Sequence, residues 1–488
     1  MAYRDLREFI AFLERKGQIR RIQTPVSCEL EITEIADRVV KAGGPALLFE
    51  NVVGPGGQRY DVPVLINAFG TERRMAWALD LDRLDDLGER LAPLLGVLQG
   101  PLPSGLREQI RTLWDLRPLA ASSPKMIRRA PCQEVVHVED ASLDWLPILK
   151  CWPGDGGRFI TLPLVVSRDP ATGKRNVGMY RMQVYDSKTT GMHWHRHKGG
   201  ASHYREGESR ARRLEVAVAI GADPATIYAA TAPLPPNVDE FVVSSILRGR
   251  PLWLTRCKTV DLEVPANAEI VLEGYVEPGE RRREGPFGDH TGYYSLADDY
   301  PVFRLTAITH REDPIYATIV VGRPPQEDYF LGKATERLFL PLVKMLLPEV
   351  VDVNMPAEGV FHNLVLVSIR KEHPGQAQKV MYGLWGMGQL MLAKHIVVVD
   401  HDVDVQNLSE VAWRVTNNID PRRDVVFADG PLDALDHSSP LPFFGSKMGI
   451  DATRKGPLDG HGREWPEDVV MSADIKALVD EKWYSYGI

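Results

Sequence analysis

Residues 176–205 read NVGMYRMQVYDSKTTGMHWHRHKGGASHYR, and the alternation in this stretch decides how the middle of the chain is understood. On a strand, Met179, Arg181, Gln183 and Tyr185 share one face, while Tyr180, Met182 and Val184 share the other. The first face is polar enough to line a pocket, and it equally suits an exposed sheet face with an ordinary surface arginine. Asn176 would point away from Arg181 on a regular strand, and a bulge at Gly178 would reconcile the two. His193, His195 and His197 alternate again, opposite Trp194 and Arg196. Imidazole binds first-row divalent metals, so these are either part of a metal site or surface and hydrogen-bonded histidines. Lys198-Gly199-Gly200 adds backbone amides that can approach an anion closely, a weak phosphate signal taken alone.

Outward from this stretch, Cys132 to about His310 is rich in short strand candidates, at 133–138, 161–167, 176–185, 213–220, 252–257, 268–276 and 302–310. Such a run between turn signals predicts an antiparallel barrel or sandwich. Upstream, apolar residues at 3, 6, 9, 10 and 13 predict a helix ended by Gly17. A second helix over 31–41 leads through Gly43-Gly44-Pro45 into a buried strand at 46–49, followed by strand at 62–67 and helix at 75–95. The proline-rich 99–131 region reads as a connector. Downstream, a helix over 331–347 precedes strands at 363–369, 395–399 and 424–427, which alternate with helices near 375–391 and 407–417. That alternation is the mark of a parallel sheet.

The chain has 488 residues and a net charge of −8, so it lacks the basic excess of a nucleic-acid binder, and its arginine clusters at 210–213 and 281–283 read as solvated faces. Four scattered cysteines fit a reducing cytoplasm. The charged N-terminus is unlike a signal peptide, and no apolar run of about 18 residues spans a membrane, which leaves surface association open. Glu284-Gly-Pro-Phe-Gly-Asp289-His290 is too rich in turn formers for a long regular element. Its two carboxyls either turn into one cavity, where neighbours can split their pKa values, or sit solvated on a surface turn. The 401–404 acid cluster reads as a solvated loop.

Asn176-Val-Gly-Met-Tyr-Arg181, His197-Lys-Gly-Gly200, Glu240 in Val238-Asp-Glu-Phe, and Glu284-Gly-Pro-Phe-Gly-Asp289-His-Thr-Gly-Tyr resemble the UbiD family of carboxy-lyases. The likeness runs nearly end to end, including Glu31 to Asp37, Ala46 to Glu50, Gly322 to Pro325 and Gly445 to Thr453. It implies reversible, non-oxidative decarboxylation of aromatic or α,β-unsaturated acids with prenylated FMN, supplied by a partner flavin prenyltransferase. The implied fold is α/β (α+β): an N-terminal α/β module over 1–115, a split β-barrel of flavin-reductase type binding the cofactor over 116–325, a linker helix over 326–350, and a C-terminal α/β oligomerisation domain over 351–488 that makes a homodimer or homohexamer.

Carried over by position, Asn176, His197 and Glu240 are the implied ligands of a divalent ion, typically manganese, that bridges to the cofactor phosphate; a nearby potassium is also implied. Met179, Tyr180, Arg181, His193, Trp194, His195, Lys198 and Gly199 are the implied cofactor-lining residues, with Lys394 a further phosphate contact. Arg181, Glu284 and Asp289 match the family's catalytic trio. Glu284 would protonate the carbon that loses its carboxylate, with Arg181 holding it and Asp289 completing the network, although the ubiquinone branch places the donor at 289. Asp289 is the residue shared with quinone-pathway members, and HWHRHKGG at 193–200 is closer to members assigned to menaquinone than to ubiquinone biosynthesis. The expected substrate is therefore a hydroxylated aryl carboxylate of ubiquinone or menaquinone biosynthesis. The alternatives are catabolic decarboxylation of another aromatic or unsaturated acid, a cupin-like metal enzyme using His195, His197 and Glu206, and a non-catalytic flavin-binding subunit.

Overall fold

The computed structural model describes residues 3–90, 123–194, 199–234 and 238–488. The first helix, α1 (Leu6–Arg15), starts where Asp5 accepts a hydrogen bond from the Glu8 amide, and it buries Leu6, Phe9, Ile10 and Leu13, as the apolar spacing requires. Strand β1 (Ile19–Ile22), α2 (Glu31–Lys41), β2 (Ala46–Phe49), β3 (Val64–Ile66) and α3 (Glu72–Ala78) complete the first layer. The expected 75–95 helix is much shorter: α3 ends at Ala78, a separate 3-10 turn follows at Leu84–Asp86, and residues 91–95 lie outside the described ones, as does most of the 99–131 connector. Beside β3 the N-terminal sheet takes in Tyr316–Ala317, so this layer is closed by chain from far downstream.

The central region comprises β4 (Leu164–Arg168), β5 (Arg175–Met179), β6 (Met182–Gln183), β7 (Thr189–Gly191), α4 (Gly199–Ser209), β8 (Leu214–Ile220), α5 (Glu240–Arg248), β9 (Ile270–Glu284) and β10 (Asp298–His310), of which all the strands but β6 form one sheet. Its hydrogen-bonded order is β5-β4-β8-β9-β10-β7, all antiparallel, with Val135–His137 added along β10. Among the described residues no ladder joins β5 to β7, so the barrel is not closed. Every residue of β8 except Glu215 is buried, which explains its continuous apolar sequence. β9 and β10 run far beyond their expected ends, and bulges at Glu273/Gly274 and Val276/Arg281 let the long pair curve. Gly274 is required there, because a Cβ would stand 2.0 Å from the Arg304 carbonyl oxygen.

Two expectations for the opening stretch need correction. β5 pairs with β4 in unbroken register through Gly178, so there is no bulge at that glycine. The chain instead leaves the ladder at Tyr180 and Arg181, and β6 pairs with Phe159–Ile160 in a separate two-stranded ribbon. Gly178 serves a close approach: the Tyr180 ring folds back over it, with its hydroxyl 2.4 Å from where a Cβ would lie. The histidine strand also stops early, since β7 ends at Gly191 and His193 lies beyond it.

The last region comprises α6 (Glu327–Leu346), β11 (Val350–Asn354), β12 (Leu364–Ile369), α7 (Gln376–Trp385), β13 (His395–Asp400), α8 (Leu408–Asn418), β14 (Val425–Pro431) and β15 (Phe444–Asp451). Leu331, Ala334 and Leu338 of α6 pack into the core shared with the N-terminal module, whereas Val343 and Leu347 belong to the C-terminal core. The C-terminal sheet is mixed, in the order β11-β12-β13-β15-β14. Only β12-β13-β15 is parallel; β11 and β14 pair antiparallel at the edges, so the all-parallel expectation is corrected. β11 and β15 were not anticipated, because β15, FGSKMGID, alternates exposed and buried positions with small and polar residues. Among the described residues no helix is long and apolar enough to cross a membrane.

Candidate active site

Arg181, Glu284 and Asp289 meet because three strand ends converge. Glu284 closes β9, β9 pairs with β10, and β10 pairs with β7, which hands the chain to His193. Arg181 arrives from the break after β5, and its side chain is 10% exposed against 0% for Glu284 and 9% for Asp289. The guanidinium donates from Nε to Glu284 Oε1 at 3.2 Å, from one terminal nitrogen to Asp289 Oδ2, and from the other to Ser295 Oγ at 3.0 Å. It also lies 4.5 Å above the Phe287 ring. A planar fork spent on two acids and a hydroxyl is fixed in orientation in a way that a lysine could not be.

The loop carrying the acids is tied down from outside. Gln183 Oε1 accepts from the Gly285 amide at 2.7 Å, and Asp155 accepts from the amides of Gly288 and Trp152 at 2.7 and 2.8 Å. Burial pushes the Asp155 carboxyl above its ordinary range, with these amides holding it back. Asp155 was not anticipated. In the run Pro153-Gly-Asp-Gly-Gly157 it looks like any turn aspartate, and nothing local marks its partner 133 residues away.

Charge acts strongly on Asp289. Burial alone would raise Asp289, but Arg181 and a 2.9 Å hydrogen bond with His290 Nδ1 outweigh it and hold the carboxyl well below the usual range. His290 is raised in turn, since its bond to Asp289 overcomes the burial that opposes its charge. On the other side, His193 Nδ1 is 2.7 Å from Glu284 Oε1. Burial and the Arg181 charge keep His193 below its normal value, hence neutral. Glu284 Oε2 is buried with no hydrogen-bond partner among the described residues, in space left by the missing side chain of Gly191, where a Cβ would stand 2.8 Å away.

A second cluster lies at the start of α5. Glu240 Oε2 accepts from the Val177 amide at 2.9 Å, and burial pushes its carboxyl up to about 7. The nearby Arg175 is spent on Asp239 and Glu263, so among the described residues no cation forms an ion pair with Glu240. Asn176 Oδ1 sits 2.0 Å from where Gly199 would carry a Cβ, so that glycine admits the amide, and Tyr180 bridges to Asn176 Nδ2 and the Gly200 amide at 3.4 Å each. The half-buried Glu240 carboxylate, bonded to the amide next in the chain to Asn176, and the Asn176 amide oxygen are oxygen donors of the kind manganese takes. His195, His197 and Lys198 lie outside the described residues, so the third expected ligand is not placed, and among the described residues no group of three His, Cys, Asp or Glu could hold a metal. Trp194 packs over Gly200, and Met179 is half-buried against the first core. Glu206, the carboxylate a cupin-like site would need, pairs with Arg210 on the surface of α4.

Lys394 sits apart, just before β13. Its Nζ bonds Asp436 Oδ2 at 2.7 Å and Ser438 Oγ, on the wall of a cavity of about 360 Å³ shared with Thr291, Tyr293, Asn363, His395 and His437. The cavity thus joins the end of the acid loop to the C-terminal sheet.

These features define a buried cation–dicarboxylate centre on an open antiparallel sheet, next to an oxygen-donor cluster at a helix start. The chain belongs to the UbiD family: the models for the N-terminal, Rift-related and C-terminal domains of 3-octaprenyl-4-hydroxybenzoate carboxy-lyase match residues 10–91, 125–324 and 329–452. It is similar to an uncharacterized protein of Archaeoglobus fulgidus, 56% identical over 99% of this chain and 98% of that one. Among solved structures it resembles the UbiD-class enzyme HmfF from Pelotomaculum thermopropionicum in complex with FMN (32% identity, TM-score 0.82, 98% and 99% of the two chains). An evolved dimeric form of that enzyme in complex with prFMN matches at 31% identity and TM-score 0.79, over 97% and 98% of the two chains. The vanillic acid decarboxylase of Sedimentibacter hydroxybenzoicus matches in its closed form at 30% identity and TM-score 0.84, over 99% of each chain.

Proposed function

We propose that this protein is a prenylated-FMN-dependent, non-oxidative decarboxylase of a hydroxylated aryl carboxylic acid in quinone biosynthesis. The observation that carries this reading is the Arg181 fork holding two buried carboxyls, one ionised and one beside a neutral imidazole. When bound, prenylated FMN supplies the electron sink for loss of carbon dioxide. Asn176, His197 and Glu240 would hold the divalent ion that neutralises its phosphate.

Arg181, fixed by its two acids, orients the substrate carboxylate. A proton donor must be recharged between turnovers. Asp289 bonds an imidazole that its own charge keeps protonated, whereas the histidine beside Glu284 is kept neutral. A carboxyl held well below its ordinary range by Arg181 and His290 does not store a proton, so we assign the delivered proton to Glu284, which His193 Nδ1 faces at 2.7 Å, and give Asp289 the role of anchoring Arg181. Water is kept from the centre by Phe287, which is 2% exposed, and by Tyr300, whose ring lies 4.2 Å from that of His193. At the edge of the C-terminal sheet β14 leaves Phe427 exposed, an apolar edge of the kind a second copy of the chain covers. Co-expression with a flavin prenyltransferase, a flavin absorbance spectrum and a screen of aryl acids for carbon dioxide release test this function; a colourless protein refutes it.

A further inference from the structure

Glu284 has room for an acid proton at one oxygen. Oε1 accepts from Arg181 Nε at 3.2 Å and faces His193 Nδ1 at 2.7 Å, whereas Oε2 is buried with no hydrogen-bond partner among the described residues. The proton that Glu284 delivers therefore belongs on Oε2, and it has to be replaced there after each turnover. His193 is a poor source: burial and the Arg181 charge keep that ring neutral, so its Nδ1 hydrogen serves to hold Oε1.

A phenol hydroxyl borders the same place. The hairpin between β6 and β7 sets Val184 opposite Thr190 and bonds the Tyr185 amide to the Thr189 carbonyl at 3.0 Å, which lays Tyr185 alongside Gly191. A Cβ on Gly191 would stand 2.8 Å from Tyr185 Oη and 2.8 Å from Glu284 Oε2, so the glycine is what lets both oxygens crowd this point. Even the widest separation that these two distances permit is spanned by one water making two ordinary hydrogen bonds. On its other side the phenol meets the surface. Oη donates to the Arg282 carbonyl at 3.2 Å, the exposed Arg282 guanidinium lies 4.4 Å from the ring centre, and Asp186, next in the chain, is exposed. Burial first and the Glu284 charge second push the phenol above its ordinary range, with Arg282 opposing and Asp299 adding to the rise, so it keeps its hydrogen through the neutral range.

We propose that the Tyr185 hydroxyl returns a proton from solvent to Glu284 Oε2, which makes Tyr185 a positioning residue for the proton that Glu284 delivers. The proposal rests on the decarboxylase reading. At each turnover Glu284 gives the proton on Oε2 to the substrate carbon. The Tyr185 hydrogen then turns from the Arg282 carbonyl toward Oε2 and passes to it through one water. A lone pair of Oη takes up one proton from the solvent side. The net transfer is one proton from solvent to Glu284, and the phenol ends as it began.

Carbon-13 NMR of protein labelled at the tyrosine Cζ reads the contact independently of turnover, with Tyr185→Phe assigning the signal. The Tyr185 resonance is expected to move with pH as Glu284 takes up its proton and to lose that step in Glu284→Gln. A Tyr185 signal with the same pH profile in both proteins would overturn the route. In the flavin-loaded enzyme, Tyr185→Phe keeps the ring beneath Arg282 and removes only the hydroxyl. It is expected to retain flavin content and KM while kcat falls about tenfold or more, with a larger solvent deuterium isotope effect. Its kcat should also rise more steeply than that of the wild type as pH falls, because solvent must then protonate Glu284 without help. A Tyr185→Phe enzyme with the wild-type rate, pH profile and isotope effect would also overturn the route. Absence of turnover in the wild type with every aryl acid would sink the decarboxylase reading instead, while the NMR coupling would still stand.

Discussion

Replacing Arg181 by Met keeps most of the side-chain volume above Phe287 and removes the charge that Glu284 and Asp289 share. Their side chains are 0% and 9% exposed, so solvent cannot take over the neutralisation. Breaking a buried pair by deleting one partner costs about 3–5 kcal/mol. Loss of the cation above the Phe287 ring adds about 1 kcal/mol, and His290 retains part of the balance at Asp289. The variant is expected to be less stable by about 4 kcal/mol at pH 8. The sign with pH follows from each state. In the wild type Asp289 is depressed, so its contribution is present above the ordinary aspartate range and lost only as pH falls through its lowered value. In Arg181→Met the uncompensated burial raises the acids, so their contribution is full below the unfolded range and lost as pH rises through the raised value. The gap between wild type and variant should therefore widen from pH 5 to pH 8. Urea unfolding followed by tryptophan fluorescence at both pH values measures it. A gap that is the same at both, or absent, would refute the idea that Arg181 neutralises two buried carboxylates.

Asp289→Asn and Glu284→Gln should both keep flavin; turnover should fall by about 10²-fold or more in the second, which has no acid proton to give, and less in the first, whose amide oxygen still accepts from Arg181. Steady-state rates in the reverse order would move the donor role to Asp289. For Glu240→Ala, bound metal and flavin should decline together in elemental and absorbance measurements, and unchanged occupancy would remove Glu240 from the ligand set. Gly178→Ala forces a Cβ against the Tyr180 ring, 2.4 Å from its hydroxyl, at a cost of about 1–3 kcal/mol, and should lower both melting temperature and flavin content.

Much of this architecture is written in local pattern. Apolar spacing is enough to place α1, α2 and β8, because each buries one face or all of itself in a core whose demands repeat along the chain. The acid loop and the arginine before it were also legible, as residue types whose chemistry needs company. What those residues touch was not. His193 reads as one of three alternating imidazoles, yet β7 stops at Gly191 and the ring turns to Glu284, 91 residues on. Gly178 reads as a bulge, but its role depends on a tyrosine ring that folds back only once the ladder ends. Asp155 carries no local signal, since its partner lies 133 residues away.

The sequence by itself determined which segments become strands and helices over most of the chain, the family, and the inventory of charged and metal-ligating groups. Only the tertiary structure decided that Asp289 is held well below its ordinary range. That depends on the few ångströms separating a carboxyl from a guanidinium or an imidazole, and on the water that burial removes, neither of which any spacing along the chain encodes.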